Sequence, residues 1–233
     1  MKSVLCFCIS VFAAINHLHA QNETELIKKV KVKLDKVNDY TAQGKMKIDV
    51  SFIDAPESKV TVYYKKPDKF KVKKTGGISL LPKGGVSVNV GTLLSNENYD
   101  VVAGKDTKLN GVDVKVVKLL PRDENSDVIL TTLYIDEKNL IVRKATVTTK
   151  ENGSYEIELN YGKYIDWGLP DKVIFSFNTK DYKLPKGITF EYEKGDKKKE
   201  EALKNKKGKV EITYSAYIIN KGIDDKIFTN KSQ

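Results

Sequence analysis

The sequence predicts a mainly β (α+β) domain, in which one N-terminal amphipathic helix precedes about ten short antiparallel strands. Three observations predict this fold: one stretch with apolar residues at helical spacing, a series of stretches in which apolar and polar residues alternate, and tight-turn signals between those stretches. The chain has 233 residues, of which 40% are hydrophobic and 31% are charged. This is the composition of a globular protein that is long enough to bury a sizeable core.

The first 20 residues have the pattern of a secretory signal peptide. Lys2 precedes an apolar stretch over residues 4–15, and the small residue Ala20 precedes a polar sequence that starts at Gln21. The apolar stretch is too short to span a bilayer. We therefore expect residues 1–20 to be cleaved off, and residues 21–233 to form one soluble exported domain, since no linker divides them.

Loss of that segment would remove both cysteines, Cys6 and Cys8, and both histidines, His17 and His19. A chain without these side chains cannot form a Ser-His-Asp or Cys-His catalytic centre, a thiol redox pair or an ordinary zinc site. The sequence also has no glycine-rich phosphate loop. We therefore expect a protein that is not an enzyme and that has no metal or cofactor.

The helix is predicted over residues 23–40, where apolar residues recur every three or four positions. Alternation then starts at Met46 and indicates strands with one apolar and one polar face. The predicted strands cover residues 46–52, 60–64, 70–72, 112–119, 128–135, 140–149, 155–161, 173–177 and 210–219. Turn signals between them include Pro67-Asp68, Asn110-Gly111, Asn152-Gly153 and Gly168-Leu169-Pro170.

The predicted helix is too narrow to cover the predicted sheet. About ten strands at roughly 4.8 Å each make a sheet nearly 50 Å wide, whereas a helix covers roughly 10 Å. Most of the apolar face is therefore left uncovered. Either the sheet curls into a barrel, or it wraps around a second layer and an apolar ligand.

One apolar segment does not alternate. It starts at Gly76-Gly77, is interrupted at Gly84-Gly85 and continues to residue 94. It forms either a hairpin of ordinary core residues or a mobile flap over a hydrophobic cavity, since glycines provide hinge freedom. For a flap, we expect these residues to touch the ligand: Ile78, Leu80, Leu81, Leu93 and Leu94.

The formal net charge is +10, and much of the excess lies between Lys194 and Lys209, with eight lysines against three acids. This segment is either a solvated loop or a loop that touches an anionic membrane surface or an acceptor protein. The stacking-aromatic motifs of RNA-binding modules are absent from the sequence, so we expect no nucleic-acid partner.

The order of these features resembles the LolA/LolB superfamily of periplasmic lipoprotein carriers and lipid-binding proteins, in particular the Bacteroidetes type. The helix is followed by Tyr40-Thr41-Ala42-Gln43-Gly44-Lys45, and Lys66-Pro67-Asp68-Lys69-Phe70 resembles the family's basic-Pro-x-x-Phe turn. Leu133-Tyr134-Ile135-Asp136, Gly168-Leu169-Pro170 and the closing segment over residues 217–228 continue the resemblance. It extends over nearly all of the chain after residue 20.

The resemblance implies a curved antiparallel incomplete β-barrel with a lid segment, whose hollow face binds acyl chains of lipids or lipidated proteins. Its members are periplasmic and sort lipoproteins to the outer membrane; we expect a monomer. A sensing protein of the same fold and a scaffold with a filled core remain as alternatives. The resemblance makes Lys66 a candidate latch for the lid. The expected cavity residues are Leu26, Val30, Leu34, Met46, Ile48, Val50, Phe52, Val60, Val62, Tyr64, Phe70 and Val72.

Overall fold

A computed structural model describes residues 22–49, 57–74, 90–94, 98–150, 153–178 and 207–229. Helix α1 covers residues 22–34, and two short helices follow, α2 (Val90–Leu93) and α3 (Lys226–Thr229); a 3-10 turn covers Ile165–Trp167. The strands are β1 (Asp39–Asp49), β2 (Ser58–Lys65), β3 (Lys69–Lys74), β4 (Tyr99–Ala103), β5 (Thr107–Leu109), β6 (Val112–Pro121), β7 (Val128–Asp136), β8 (Ile141–Thr149), β9 (Gly153–Asn160), β10 (Lys172–Asn178) and β11 (Lys207–Ile219).

The strands form one antiparallel sheet in the order β3-β2-β1-β11-β10-β9-β8-β7-β6-β4, and β5 adds to β6. Strand β1 pairs with both β2 and β11, so the first and the last strand of the described chain lie side by side. The edge strands β3 and β4 do not pair with each other, so the sheet does not close. The predicted fold class, a mainly β incomplete barrel with an N-terminal helix, is confirmed.

The hydrophobic core lies on one face of this sheet, which we call the inner face. Alternate residues of the strands point inward, as the period of two requires, and Val62, Ile157 and Phe175 are almost fully buried there. Helix α1 packs on the same face through Leu26 and Val30, which belong to the same hydrophobic cluster. Among the described residues, no helix is long and apolar enough to cross a membrane.

Helix α1 ends at residue 34, six residues before the predicted end. Its last turn tightens, since the amides of Lys36 and Val37 donate to the carbonyls three residues earlier. Asp39 then starts β1, and its carboxylate accepts hydrogen bonds from the amides of Lys221 and Gly222. Val37 lies in the connection between α1 and β1, and Tyr40 lies in β1. Both are buried in the core, so their spacing continues the helical period although neither is in the helix.

Two further differences concern the strands. Strands β4 and β5 were not predicted, because β5 has only three residues and the sequence of β4 does not alternate: Val102, which is exposed, follows Val101. Lys207, Gly208 and Lys209, which the sequence placed in a basic loop, are the first residues of β11. They pair with β10, and the Phe177 ring occupies the space beside Gly208 that a side chain would fill. Residues 194–206 of that predicted loop lie outside the described residues.

Candidate ligand cavity

The inner face brings together the described residues that the sequence predicted to line a cavity. Three sit on α1 and the others on β1, β2 and β3, and they belong to or pack against one hydrophobic cluster. Leu34, Phe70 and Val72 are half-buried. Val50 and Phe52 lie outside the described residues. The other expected cavity residues are all buried: Leu26, Val30, Met46, Ile48, Val60, Val62 and Tyr64.

A cavity of about 40 Å³ lies at the end of the inner face where α1 ends. A water molecule occupies about 30 Å³ in the liquid, so the cavity has room for one or two water-sized groups. Pockets for small-molecule ligands measure roughly 300–1,000 Å³, so an acyl chain needs more room than this closed arrangement leaves. The lining residues are Leu34, Val37, Tyr40, Tyr64, Phe70, Gly91, Leu159, Tyr161, Trp167, Gly168, Leu169, Pro170, Val173, Tyr214 and Tyr217.

Tyrosines dominate this cavity, which we call the tyrosine cavity. The ring centroids of Tyr64 and Tyr40 are 5.3 Å apart, those of Tyr40 and Tyr217 are 5.3 Å apart, and those of Tyr217 and Tyr214 are 5.1 Å apart. These are the separations that offset and edge-to-face aromatic pairs prefer. The rings therefore form a continuous packed row across β2, β1 and β11.

A β-bulge places two of these rings on the same face. Gln43 pairs with Ala216 and Gly44 with Tyr214, so Ser215 has no partner across β1. The extra residue lets Tyr214 and Tyr217 both point inward although they are three positions apart. Gly44 fits there because a Cβ on it would lie 2.5 Å from the carbonyl oxygen of Thr213.

The tyrosine hydroxyls differ in their partners. Tyr217 donates to the carbonyl oxygen of Pro170 at 2.7 Å, and Tyr161 donates to that of Val142 at 2.8 Å. Burial raises the pKa of Tyr64 to about 12 and raises the pKa of Tyr40 and Tyr214 as well. The phenols therefore stay protonated and act as hydrogen-bond donors.

Polar contacts tether the C-terminal end of α1 beside the cavity. Lys66 Nζ donates to the carbonyl oxygen of Asp35 at 2.6 Å and pairs with its carboxylate Oδ1 at 2.9 Å. On the other side, Lys33 Nζ donates to the carbonyl oxygen of Asn139 at 2.7 Å, and burial lowers the pKa of Lys33. Asn220 Nδ2 donates to the carbonyl oxygen of Lys36 at 2.8 Å. Cations near a helix C-terminus also interact favourably with its dipole.

The lid residues are only partly described. Leu94 is buried and Leu93 is half-buried, and both pack on the hydrophobic core. Gly91 of α2 lines the tyrosine cavity. Ile78, Leu80 and Leu81 lie outside the described residues, so the flap stays a prediction.

A buried ion pair holds the β7–β8 turn to which Lys33 is tethered. The Asp136 carboxylate accepts from Arg143 Nε at 3.0 Å and Nη2 at 2.7 Å, and from the amide and side-chain nitrogens of Asn139 at 3.0 and 2.9 Å. Burial alone would raise the pKa of Asp136, but these hydrogen bonds outweigh it and the pKa lies below its usual range. Among the described residues, no cluster of His, Cys, Asp and Glu is placed to hold a metal ion.

Most residues of the cavity were not predicted from the sequence, since Tyr40, Tyr161, Trp167, Tyr214 and Tyr217 were not among the expected cavity residues. Leu34, Tyr64 and Phe70 are the expected residues that line it. The available signal was a set of tyrosines on two strands that are far apart in the sequence. Tyr40 lies in β1, and Tyr214 and Tyr217 lie in β11, which pairs with β1 in the sheet. That pairing is a tertiary feature, which alternation alone does not reveal.

Several solved structures share this fold, and three of them are compared with this chain. A domain described as an outer membrane lipoprotein-sorting protein from Vibrio parahaemolyticus matches with a TM-score of 0.58 and 15% identity, over 90% of this chain and 97% of its own. A DUF1329 family protein from Desulfovibrio piger matches with a TM-score of 0.57 and 11% identity, over 90% and 96%. A LolA superfamily protein from Nitrosomonas europaea matches with a TM-score of 0.56 and 13% identity, over 89% and 97%.

No protein-family model and no curated protein matches the sequence. The structural matches cover nearly the whole of each chain, so the resemblance to the LolA superfamily is confirmed at the level of the fold. At these identities the likeness concerns the fold alone.

Proposed function

We propose that this chain, which has the fold of the LolA superfamily, binds acyl chains of lipids or lipidated proteins between α1 and the inner face of its sheet. The observation that supports this most is the tyrosine cavity, an apolar opening at the C-terminal end of α1. Each buried methylene would contribute about 0.8 kcal/mol. The relative described as a lipoprotein-sorting domain supports the same ligand class.

Binding would require α1 to move away from the sheet, because the closed cavity measures only about 40 Å³. The contacts of Lys33, Lys66 and Asn220 all hold the C-terminal end of the helix. Displacement of that end would join the tyrosine cavity to the apolar surface beneath Leu26 and Val30. Lys66 would then be the latch, the role for which the family resemblance makes it a candidate.

The finer function that we propose is that of an exported carrier, which takes lipidated protein from one membrane and delivers it toward the outer membrane without catalysis. Contact with an anionic membrane surface is favoured by the outer face of β2 and β3, where Lys59 and Lys73 lie diagonally from each other; Lys45, opposite Lys59, pairs with Glu57 at 2.9 Å. Lysines near an anionic surface contribute about 1 kcal/mol each. The predicted cleavage after Ala20 belongs to the same proposal.

The small volume of the cavity favours a second candidate, a scaffold whose core is permanently filled. The two candidates differ in whether the purified protein carries a lipid. Native mass spectrometry of protein isolated from the cell envelope of its own host should reveal an adduct with the mass of a lipid or acylated peptide, released on collisional activation. A protein of the bare mass that also binds no added acyl lipid would establish the scaffold.

A matched pair of variants tests where the adduct binds. Leu34 and Val32 both lie on α1, but Leu34 lines the cavity whereas Val32 is 66% exposed. Leu34→Asp should abolish the adduct, because it places a charge in the apolar opening, and Val32→Asp should leave it. Equal adducts on the two variants in the same mass spectra would contradict binding at this site.

Lys66→Met should speed ligand uptake, because it removes both contacts between the latch and Asp35. The free energy of unfolding should change by at most about 1 kcal/mol, since the Asp35 side chain is half exposed and the pair is screened by solvent. Stopped-flow fluorescence of Trp167, the single tryptophan, measures the uptake rate. Lys69→Met is the control, because Lys69 lies in the same hairpin but pairs with Asp225. Equal uptake rates in the two variants would exclude a latch role for Lys66.

A further inference from the structure

Three buried tyrosines of the cavity have hydroxyl groups without a hydrogen-bond partner among the described residues. Tyr40 and Tyr64 are 6% exposed and Tyr214 is 9% exposed. Their neighbours Tyr161 and Tyr217, in contrast, donate to backbone carbonyls. A buried hydroxyl without a partner is unfavourable, because it has lost its hydrogen bonds to water. Within the part of the chain that the structure describes, these three hydroxyls therefore have no oxygen acceptor.

The cavity selects a neutral acceptor. Its lining residues carry no charged side chain, so a carboxylate or phosphate would be desolvated there without a counter-ion. Burial keeps the phenols protonated at ordinary pH, because it raises the pKa of Tyr40, Tyr64 and Tyr214. The volume of about 40 Å³ suits a single carbonyl group.

We propose that the tyrosine cavity is a subsite for the neutral ester or amide carbonyl that joins an acyl chain to its head group, and that two of the three hydroxyls of Tyr40, Tyr64 and Tyr214 donate to its oxygen. This inference rests on the proposed function, because the attached chain would lie along the inner face under α1. It makes acyl esters and amides the ligands of this protein in preference to free fatty acids.

The test compares two probes of equal chain length, methyl decanoate and decane, in titrations followed by Trp167 fluorescence. The wild-type chain should bind the ester at least about tenfold more tightly, since the tyrosine hydroxyls form hydrogen bonds only with the ester. Tyr40→Phe/Tyr214→Phe should lose most of that preference and keep its affinity for decane. The double variant should be no less stable than the parent, because neither hydroxyl has a partner to lose.

Tyr161→Phe is the control. It should lose stability, because its hydroxyl donates to Val142, but it should keep the preference for the ester. Equal affinities of the wild-type chain for ester and hydrocarbon, or an ester preference that survives in the double variant, would overturn the subsite and leave lipid binding intact. Binding of neither probe to the wild-type chain would overturn both the subsite and the proposed function.

Discussion

Phe175→Ala is expected to lower the free energy of unfolding by about 3–5 kcal/mol, the usual cost of truncating a buried Phe. Phe175 is 1% exposed, and its ring packs against those of Tyr155 at 5.2 Å and Phe177 at 5.5 Å. Strand β10 lies between β9 and β11, so inner-face residues of both neighbouring strands flank Phe175. Urea unfolding followed by circular dichroism measures the change.

The control for this prediction is Ile174→Ala, one residue earlier on the outer face of the same strand. Ile174 is half-buried and is not part of the hydrophobic cluster on the inner face. Its truncation should cost clearly less than that of Phe175. Equal losses would mean that the inner face is not the side on which the core lies.

Asp136→Asn is expected to lower the free energy of unfolding by about 1.5–3 kcal/mol at neutral pH, the range for hydrogen bonds to charged groups. The side chain of Asp136 is 4% exposed, whereas that of Arg143 is 25% exposed. The variant leaves the Arg143 guanidinium without its counter-ion. It also places an uncharged amide where the nitrogens of Arg143 and Asn139 donate to a carboxylate in the wild type. Thermal unfolding of both proteins across a pH series measures the difference.

The pH dependence follows from the lowered pKa of Asp136. A carboxyl whose pKa is lower in the folded state contributes stability above its unfolded pKa, and that contribution is lost as the pH falls through the folded pKa. The gap between wild type and Asp136→Asn should therefore be constant near neutral pH and shrink below its ordinary pKa of 3.8. Asp100→Asn is the control, since Asp100 also pairs with an arginine, Arg122, but both side chains are exposed. An equal loss in the control would contradict the role of burial.

Alternation of apolar and polar residues was sufficient to predict most of the sheet. The period of two depends only on which side chains face the core, so strands such as β6, β7, β8 and β10 could be located from residue order. Strand β5 could not, because its three residues are too few to show a period. The end of α1 was also missed, since Val37 and Tyr40 are buried for reasons of tertiary packing.

The site was harder to predict than the fold because it depends on register. Simple alternation places Tyr214 and Tyr217 on opposite faces of a strand, since they are an odd number of positions apart. The bulge at Ser215 brings both inward, and it is visible only once β11 is paired with β1. The contact of Lys66 with Asp35 likewise needs the packing of α1 on the sheet, and the family resemblance suggested Lys66 only as a candidate.

Quenching of Trp167 by acyl lipids that carry bromine on the chain tests acyl binding at the inner face most directly. Trp167 is the single tryptophan, and it lines the tyrosine cavity with 39% of its surface exposed. If acyl chains bind beneath α1, quenching should be saturable, should reach a plateau near one lipid per protein and should be reversed by an unbrominated acyl ester. Quenching that rises linearly with lipid concentration, with no more effect than an equal amount of a water-soluble bromide, would contradict acyl binding at this face.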